Sequence, residues 1–205
     1  MRFFPKLLAL TAVLSYSLGS GIHPLAAQAQ PTVSALFQQL QSNQTSSQAE
    51  AQLLQLGNSD VGAKRYLARH LPALIGKGPK GSPQVPYPQQ LWLDEVRLAG
   101  ELRMVEAAPA LAKWISVRTG GGLITQFREE SLQDSPAGTA LVQIGDPAIP
   151  TLQDLLAHGN RDERVEAARA LDDIGSPKAT ATLRQYAATG QDRDLADFIK
   201  RVMLR

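Results

Sequence analysis

Apolar residues recur at intervals of three and four along most of the chain, which is the spacing of an amphipathic α-helix. In the clearest segment, the apolar positions are Val165, Ala168, Leu171 and Ile174. The charged positions on the opposite side of that helix are Glu166, Arg169, Asp172 and Asp173. Similar stripes cover 148–156 and 195–202. The pattern therefore predicts an all-α chain.

A repeated turn signal separates these predicted helices. Residues 144–147 read Ile-Gly-Asp-Pro and residues 174–177 read Ile-Gly-Ser-Pro, a spacing of 30 residues. Glycine just past the last helical turn takes a left-handed conformation at little cost. Asp or Ser followed by proline then begins the next helix. Such a period predicts an α-solenoid of stacked antiparallel helix pairs, with an ordinary helical bundle as the alternative.

Three copies of a longer pattern overlap these turns. The first copy comprises Asp94, Val96, Arg97, Ala99, Leu102, Ala107, Pro109 and Leu111. The second comprises Leu141, Ile144, Gly145, Asp146, Pro147, Ala148, Pro150 and Leu152. The third comprises Asp162, Val165, Ala168, Leu171, Ile174, Gly175 and Ala179.

The stretch that holds these copies, 91–205, resembles HEAT-like repeats in the short bacterial form related to those of phycobilin-lyase proteins. Arg103 takes the place of the turn glycine in the first copy, and Glu166 takes the place of the usual arginine in the last. The resemblance implies an α-solenoid of the α-α superhelix type and says almost nothing about activity. It extends only loosely to 46–75.

The chain divides into four predicted regions. They are a signal peptide at 1–29, N-terminal helices forming a degenerate repeat at 30–75, a Pro/Gly-rich loop at 76–89, and HEAT-like repeats at 90–205. Within the second region, Gly57 is expected to end a helix over 49–56 and Asp60 to cap the next one. The basic residues Lys64, Arg65, Arg69 and His70 are interpreted as a solvated helix surface, with a small positive patch as the alternative. Three glycines at 120–122 predict a flexible break, which could act as a hinge before a helix over 123–132.

The N-terminus has the composition of a secretory signal. Arg2 and Lys6 precede an apolar run over 7–18, and Ala-Gln-Ala at 27–29 is a cleavage site with small residues at both ends. We expect cleavage near Ala29 and export, to the periplasm or beyond, with an uncleaved membrane anchor as the competing interpretation. Without Arg2 and Lys6 the chain holds 19 basic and 19 acidic residues. A neutral chain gives no general argument for nucleic-acid binding or for stable attachment to an anionic membrane.

No arrangement typical of catalysis stands out. The chain has no cysteine, and His70 and His158 lack partners at metal-ligand spacing. Paired acids at 129–130 and 172–173 have no identifiable apolar pocket to raise their pKa. The sequence therefore predicts a protein that is not an enzyme, with no catalytic residues, metal or cofactor.

The resemblance instead implies an interaction module or scaffold. It places one row of helices at about 91–103, 136–144, 162–174 and 192–204, lining a face that binds a protein or peptide. The candidate contact residues on that face are Arg97, Glu101, Glu166, Arg169 and Asp173. The alternative, motivated by the same resemblance, is a chromophore-handling lyase or an accessory subunit of an envelope enzyme.

Overall fold

The computed structural model describes residues 32–42, 45–79, 86–118, 135–189 and 192–203. All of them lie in the compact unit Pro31–Arg205. These residues form α-helices and two 3₁₀ turns, and they include no strand. The α-helices are α1 (Val33–Leu40), α2 (Ser46–Ser59), α3 (Val61–Ile75), α4 (Pro86–Glu101), α5 (Ala108–Ala112), α6 (Pro136–Ile144), α7 (Ile149–His158), α8 (Arg161–Ile174), α9 (Pro177–Thr189) and α10 (Arg193–Met203). The 3₁₀ turns are Val105–Ala107 before α5 and Asp146–Ala148 before α7.

The helices stack in two rows. In the front row α2 packs on α4, α4 on α6, α6 on α8, and α8 on α10. In the back row α3 packs on α5, α5 on α7, and α7 on α9. Sequential helices form pairs across the rows, and α1 packs on α2 at the N-terminal side. Each pair contacts the pairs before and after it, which confirms the predicted α-solenoid.

The turns between paired helices use left-handed or related backbone conformations. Gly175, at the end of α8, has φ 62° and ψ 7°, and Gly145, at the end of α6, has φ 79° and ψ −144°. Arg103 occupies the corresponding position after α4 with φ 50°. The positive φ of the repeat turn is therefore kept even where the glycine is replaced.

Side-chain caps fix where several helices begin. Asn160 accepts from the backbone N–H of Glu163, whose carboxylate accepts in turn from the N–H of Asn160, so the two residues form a capping box before α8. The Asp60 carboxylate accepts from the N–H of Gly62, as expected for the cap of α3. The buried Ser135 hydroxyl caps α6 and also donates to the carbonyl of Ile115 at 2.6 Å. This contact ties the start of α6 to the segment that follows α5.

One apolar core runs between the two rows. Its largest buried side chains include Trp92, Leu98, Leu111 and Ile115. Trp92 also donates its indole N–H to the carbonyl of Ile75 at 3.3 Å. Trp114 is half-buried and packs so closely over Gly78 that a Cβ there would lie 2.1 Å from Cζ2 of the indole ring. Both tryptophans therefore contribute to the packing of the core.

Two predicted boundaries are wrong. The Pro/Gly-rich loop was expected to extend to residue 89, but α4 begins at Pro86. Proline is accepted in the first helical turn because the N–H groups there have no intrahelical acceptor. Gly57 does not end α2, which continues to Ser59. A Cβ at Gly57 would lie 2.6 Å from Cδ1 of Leu102, so this glycine permits the close approach of α2 and α4. The predicted signal peptide and the helix over 123–132 lie outside the described residues.

Candidate interaction surface of the front row

The five predicted contact residues do not all share one environment. Arg97, Glu101 and Asp173 are exposed on α4 and α8, and Arg169 is partly exposed between α8 and α10. Glu166 was predicted to be on the exposed face and is buried, with 3% of its surface accessible. That prediction is wrong because basic side chains cover Glu166 on the flank of α8.

Arg97 joins α4 to α2. Its Nε donates to Oε1 of Glu50 at 2.5 Å, its Nη2 donates to Oε2 of Glu50, and the same nitrogen lies 3.2 Å from Oδ1 of Asp94. The Arg97 side chain is 52% exposed, whereas those of Glu50 and Asp94 are 7% and 0% exposed. Hydrogen bonding to Glu50 raises the pKa of Arg97, so the guanidinium stays charged.

Glu166 forms a second ionic junction. Its Oε1 accepts from Nη2 of Arg118 at 2.5 Å and from Nη1 of Arg169 at 3.0 Å. Desolvation raises the pKa of Glu166, and the two arginines oppose that rise without cancelling it. The Arg169 guanidinium also lies over the Phe198 ring, 5.9 Å from its centroid, which links α8 to α10.

Acidic groups also flank the exposed end of α8. Partial burial raises the pKa of Asp173, and the neighbouring charge of Asp172 adds to the rise. Between α4 and α6, the Gln143 side chain lies against Gly100, where a Cβ would come within 2.1 Å of Oε1 of Gln143. We call the strip formed by Arg97, Glu101, Gln143, Arg169 and Asp173 the front face.

A groove of about 730 Å³ opens beside the front face, between α8 and α10. Its apolar lining residues are Val165, Leu195 and Phe198. Its charged lining residues are Arg161, Asp192, Asp194, Asp197, Lys200 and Arg201. We call it the terminal groove. A groove lined by apolar side chains and by charges of both signs suits a peptide side chain whose backbone stays hydrated.

The described residues of this surface offer hydrogen bonds, ionic contacts and apolar contacts. Among the described residues, no group of His, Asp and Glu side chains could hold a metal ion. His158 pairs through Nδ1 with Asp154 at 2.9 Å in the exposed last turn of α7. In the same part of the chain, no helix combines the length and the apolar character that crossing a membrane requires.

Sequence reasoning missed four residues that build this surface. Glu50, Arg118 and Phe198 contact the predicted residues from other helices or segments, and Asp94 was seen only as part of the repeat pattern. Glu50 and Arg118 each lie more than 40 residues from their partners along the chain. The one available signal was a lone acid, Glu50, in an otherwise uncharged helix.

The geometry first defines the class of protein, an α-solenoid of antiparallel helix pairs. Residues 135–198, from the start of α6 into α10, match the sequence family described as HEAT repeats. No match was found among curated proteins or among solved structures. Residues 135–198 are therefore similar to HEAT repeats, and stacked repeats of this kind generally serve as scaffolds for protein interactions.

Proposed function

We propose that this protein is a non-enzymatic scaffold of the cell envelope that binds a protein or peptide along its front face, with the terminal groove as the anchor point. The groove carries the proposal because its apolar residues Val165, Leu195 and Phe198 lie beside charges of both signs. Apolar anchors surrounded by polar groups are the usual source of affinity in peptide recognition. The fixed guanidinium of Arg97 adds a pre-oriented polar contact on the same row.

Crosslinking from defined positions tests where the partner binds. A photo-reactive amino acid at Lys200, on the groove, is expected to give a specific adduct in envelope extract. The same group at Arg184, exposed on α9 in the back row, is the matched control and should give none. Equal adducts from both positions would contradict the proposal.

A binding measurement with the identified, purified partner completes the test. Val165→Glu places a charge among the apolar lining residues and is expected to weaken binding at least about tenfold, which corresponds to about 1.4 kcal/mol. Gln185→Glu adds the same charge at an exposed site on α9 and should leave the affinity unchanged. Unchanged binding by the Val165 variant would remove the groove from the interface.

Export to the periplasm or the exterior is part of the same proposal, and it rests on the composition of residues 1–29. N-terminal sequencing of the protein recovered from the envelope should begin at Gln30. A product that keeps Met1 in the membrane fraction would favour the uncleaved anchor. Incubation with linear tetrapyrroles addresses the alternative, because an absorbance shift would identify a chromophore-handling protein in place of a scaffold.

A further inference from the structure

Helix α3, in the back row, carries several basic residues and no acidic one. Residues 61–77 contain Lys64, Arg65, Arg69 and Lys77 and no acidic residue. These four side chains belong to exposed residues. The apolar side of the same helix, with Leu67, Leu71 and Ile75, is fully buried. All four cations therefore lie outside the core. Arg65 and Arg69 share one edge of α3, Lys64 lies on a different side of the helix, and Lys77 follows the end of the helix at Ile75.

These cations differ from three arginines elsewhere in the protein. Arg97, Arg118 and Arg169 each bind a buried carboxylate within the protein. Lys64, Arg65, Arg69 and Lys77 form no ion pair with any residue that the structure describes. Acids therefore pair directly with those arginines, whereas the α3 cations have, among the described residues, only two nearby carboxylates, those of Asp60 at the start of the helix and Glu106 in the groove beyond its end.

A groove with basic lining residues lies at the C-terminal end of α3. Arg65, Arg69 and Ala73 are spaced by four residues and follow one edge of α3. Ala73 lines a groove of about 440 Å³ between α3 and α5. Lys77 and Lys113 border the same groove, and Glu106 is its one acidic lining residue. The basic strip, defined as Lys64, Arg65, Arg69, Lys77 and Lys113, thus leads into a concave site.

We propose that the basic strip is a second interaction surface that binds an acidic peptide segment, an extended stretch rich in Asp and Glu. Charge complementarity along α3 and the turn that follows it supports such a segment, and the groove gives one of its side chains a place to lie. The site is on the opposite row from the terminal groove, so the protein would hold two different ligands at once.

Other anionic partners fit the geometry less well. A helix that lies on a membrane inserts its apolar side, and the apolar side of α3 is already packed in the core. Single-stranded nucleic acid needs exposed aromatic rings for stacking. The aromatic residue of α3, Tyr66, is occupied by its contacts with Phe37 at 5.7 Å and His70 at 4.4 Å between ring centroids.

Fluorescence anisotropy with a labelled peptide of about ten residues, mostly glutamate, tests the proposal on the purified protein. Binding should weaken steeply between about 50 and 200 mM salt, because the contacts are exposed charges. The triple variant Lys64→Glu, Arg65→Glu and Arg69→Glu should lose at least about tenfold in affinity. The control triple variant Lys178→Glu, Arg184→Glu and Arg193→Glu makes the same change in net charge at exposed sites elsewhere and should retain binding.

Each outcome decides the proposal. Equal loss in both triple variants would show a net-charge effect and overturn it. Tighter binding to phosphatidylglycerol vesicles or to a single-stranded oligonucleotide than to the peptide would overturn it in favour of that partner. If circular dichroism shows that the charge-reversed variant has lost helix, the double variant Arg65→Gln and Arg69→Gln removes charge without reversal. Peptide affinity unchanged in that double variant would also overturn the proposal.

Discussion

At the scale of single residues, Arg103 shows how strongly the repeat turn constrains the chain. The N–H of Met104 donates to the carbonyl of Ala99, and that of Arg103 donates to the carbonyl of Gly100, each at 2.9 Å. This pair of bonds forms the Schellman end of a helix, which requires a left-handed residue. A side chain other than glycine in that conformation costs about 1 kcal/mol.

Replacing Arg103 with glycine should therefore stabilise the protein. We expect the free energy of unfolding to rise by about 0.5 kcal/mol, because relief of the left-handed strain exceeds the extra flexibility of the unfolded chain. The reverse change, Gly175→Ala, should lower it by about 1 kcal/mol, since a Cβ there meets only ordinary contacts and the cost is conformational. Urea unfolding measures both, and changes of equal sign would contradict this account.

Glu166 should make the stability of the protein depend on pH. Desolvation raises its pKa in the folded protein above the value of 4.5 for an exposed glutamate. A raised acid pKa favours the protonated folded state, so its stabilising contribution is present at low pH and is lost as pH rises through the folded value. We expect the free energy of unfolding of Glu166→Gln, relative to that of the wild type, to increase as pH rises from 4 to 7. Urea unfolding at each pH measures it.

The control for that measurement is Glu106→Gln, which removes the same charge from an exposed position. It reports the effect of net charge on its own. If the stability of Glu166→Gln relative to the wild type instead falls as pH rises, attraction to Arg118 and Arg169 outweighs the desolvation of the carboxylate. The pKa of Glu166 would then be lowered and not raised.

At the scale of helices, Gly100 sets the distance between α4 and α6. A Cβ at Gly100 would lie 2.9 Å from Cα of Ala140, and backbone cannot move aside as a side chain can. We expect Gly100→Ala to destabilise the protein by about 1–3 kcal/mol, even though alanine favours helix by about 1 kcal/mol.

Gly57→Ala is the comparison, because its Cβ meets only the end of the Leu102 side chain. The clash and the gain in helix propensity should nearly cancel there, leaving a change within about 1 kcal/mol. Thermal and urea unfolding of the two variants distinguish these cases. A larger loss of stability for Gly57→Ala than for Gly100→Ala would contradict this account. It would show that side-chain packing, and not the approach of the backbones, limits how closely the front-row helices pack.

The elements also show what the sequence could and could not predict. Local signals were sufficient for the turns at Gly145 and Gly175 and for the cap at Asp60, because caps involve neighbours within a few residues. The prediction that Gly57 ends a helix was wrong because this glycine instead makes room for Leu102 of another helix. The environment of Glu166 was wrong for the same reason, since Arg118 reaches it from 48 residues earlier. Helical periodicity identifies the side of a helix but not what covers its flank.

At the scale of the whole described unit, the two rows predict uneven cooperativity. In a stack where each pair contacts only its neighbours, stability is a sum of local terms and interface terms. Leu141 is fully buried in α6, which contacts α4, α5 and α8. Leu195 is 3% exposed in α10, which contacts α8 and α9. The same substitution at these two sites should therefore destabilise different numbers of neighbouring helices.

Native-state hydrogen exchange of Leu141→Ala and Leu195→Ala tests this expectation. Each substitution should cost about 2–5 kcal/mol within its own region, because both remove a buried leucine side chain. For Leu141→Ala, amide protection should fall in α4 to α8, since the central pairs lose a shared interface. For Leu195→Ala, the loss should stay within α8 to α10 and leave α2 to α6 protected. A uniform loss of protection across all helices in both variants would show one all-or-none globule, in which the stacked pairs have no independent stability.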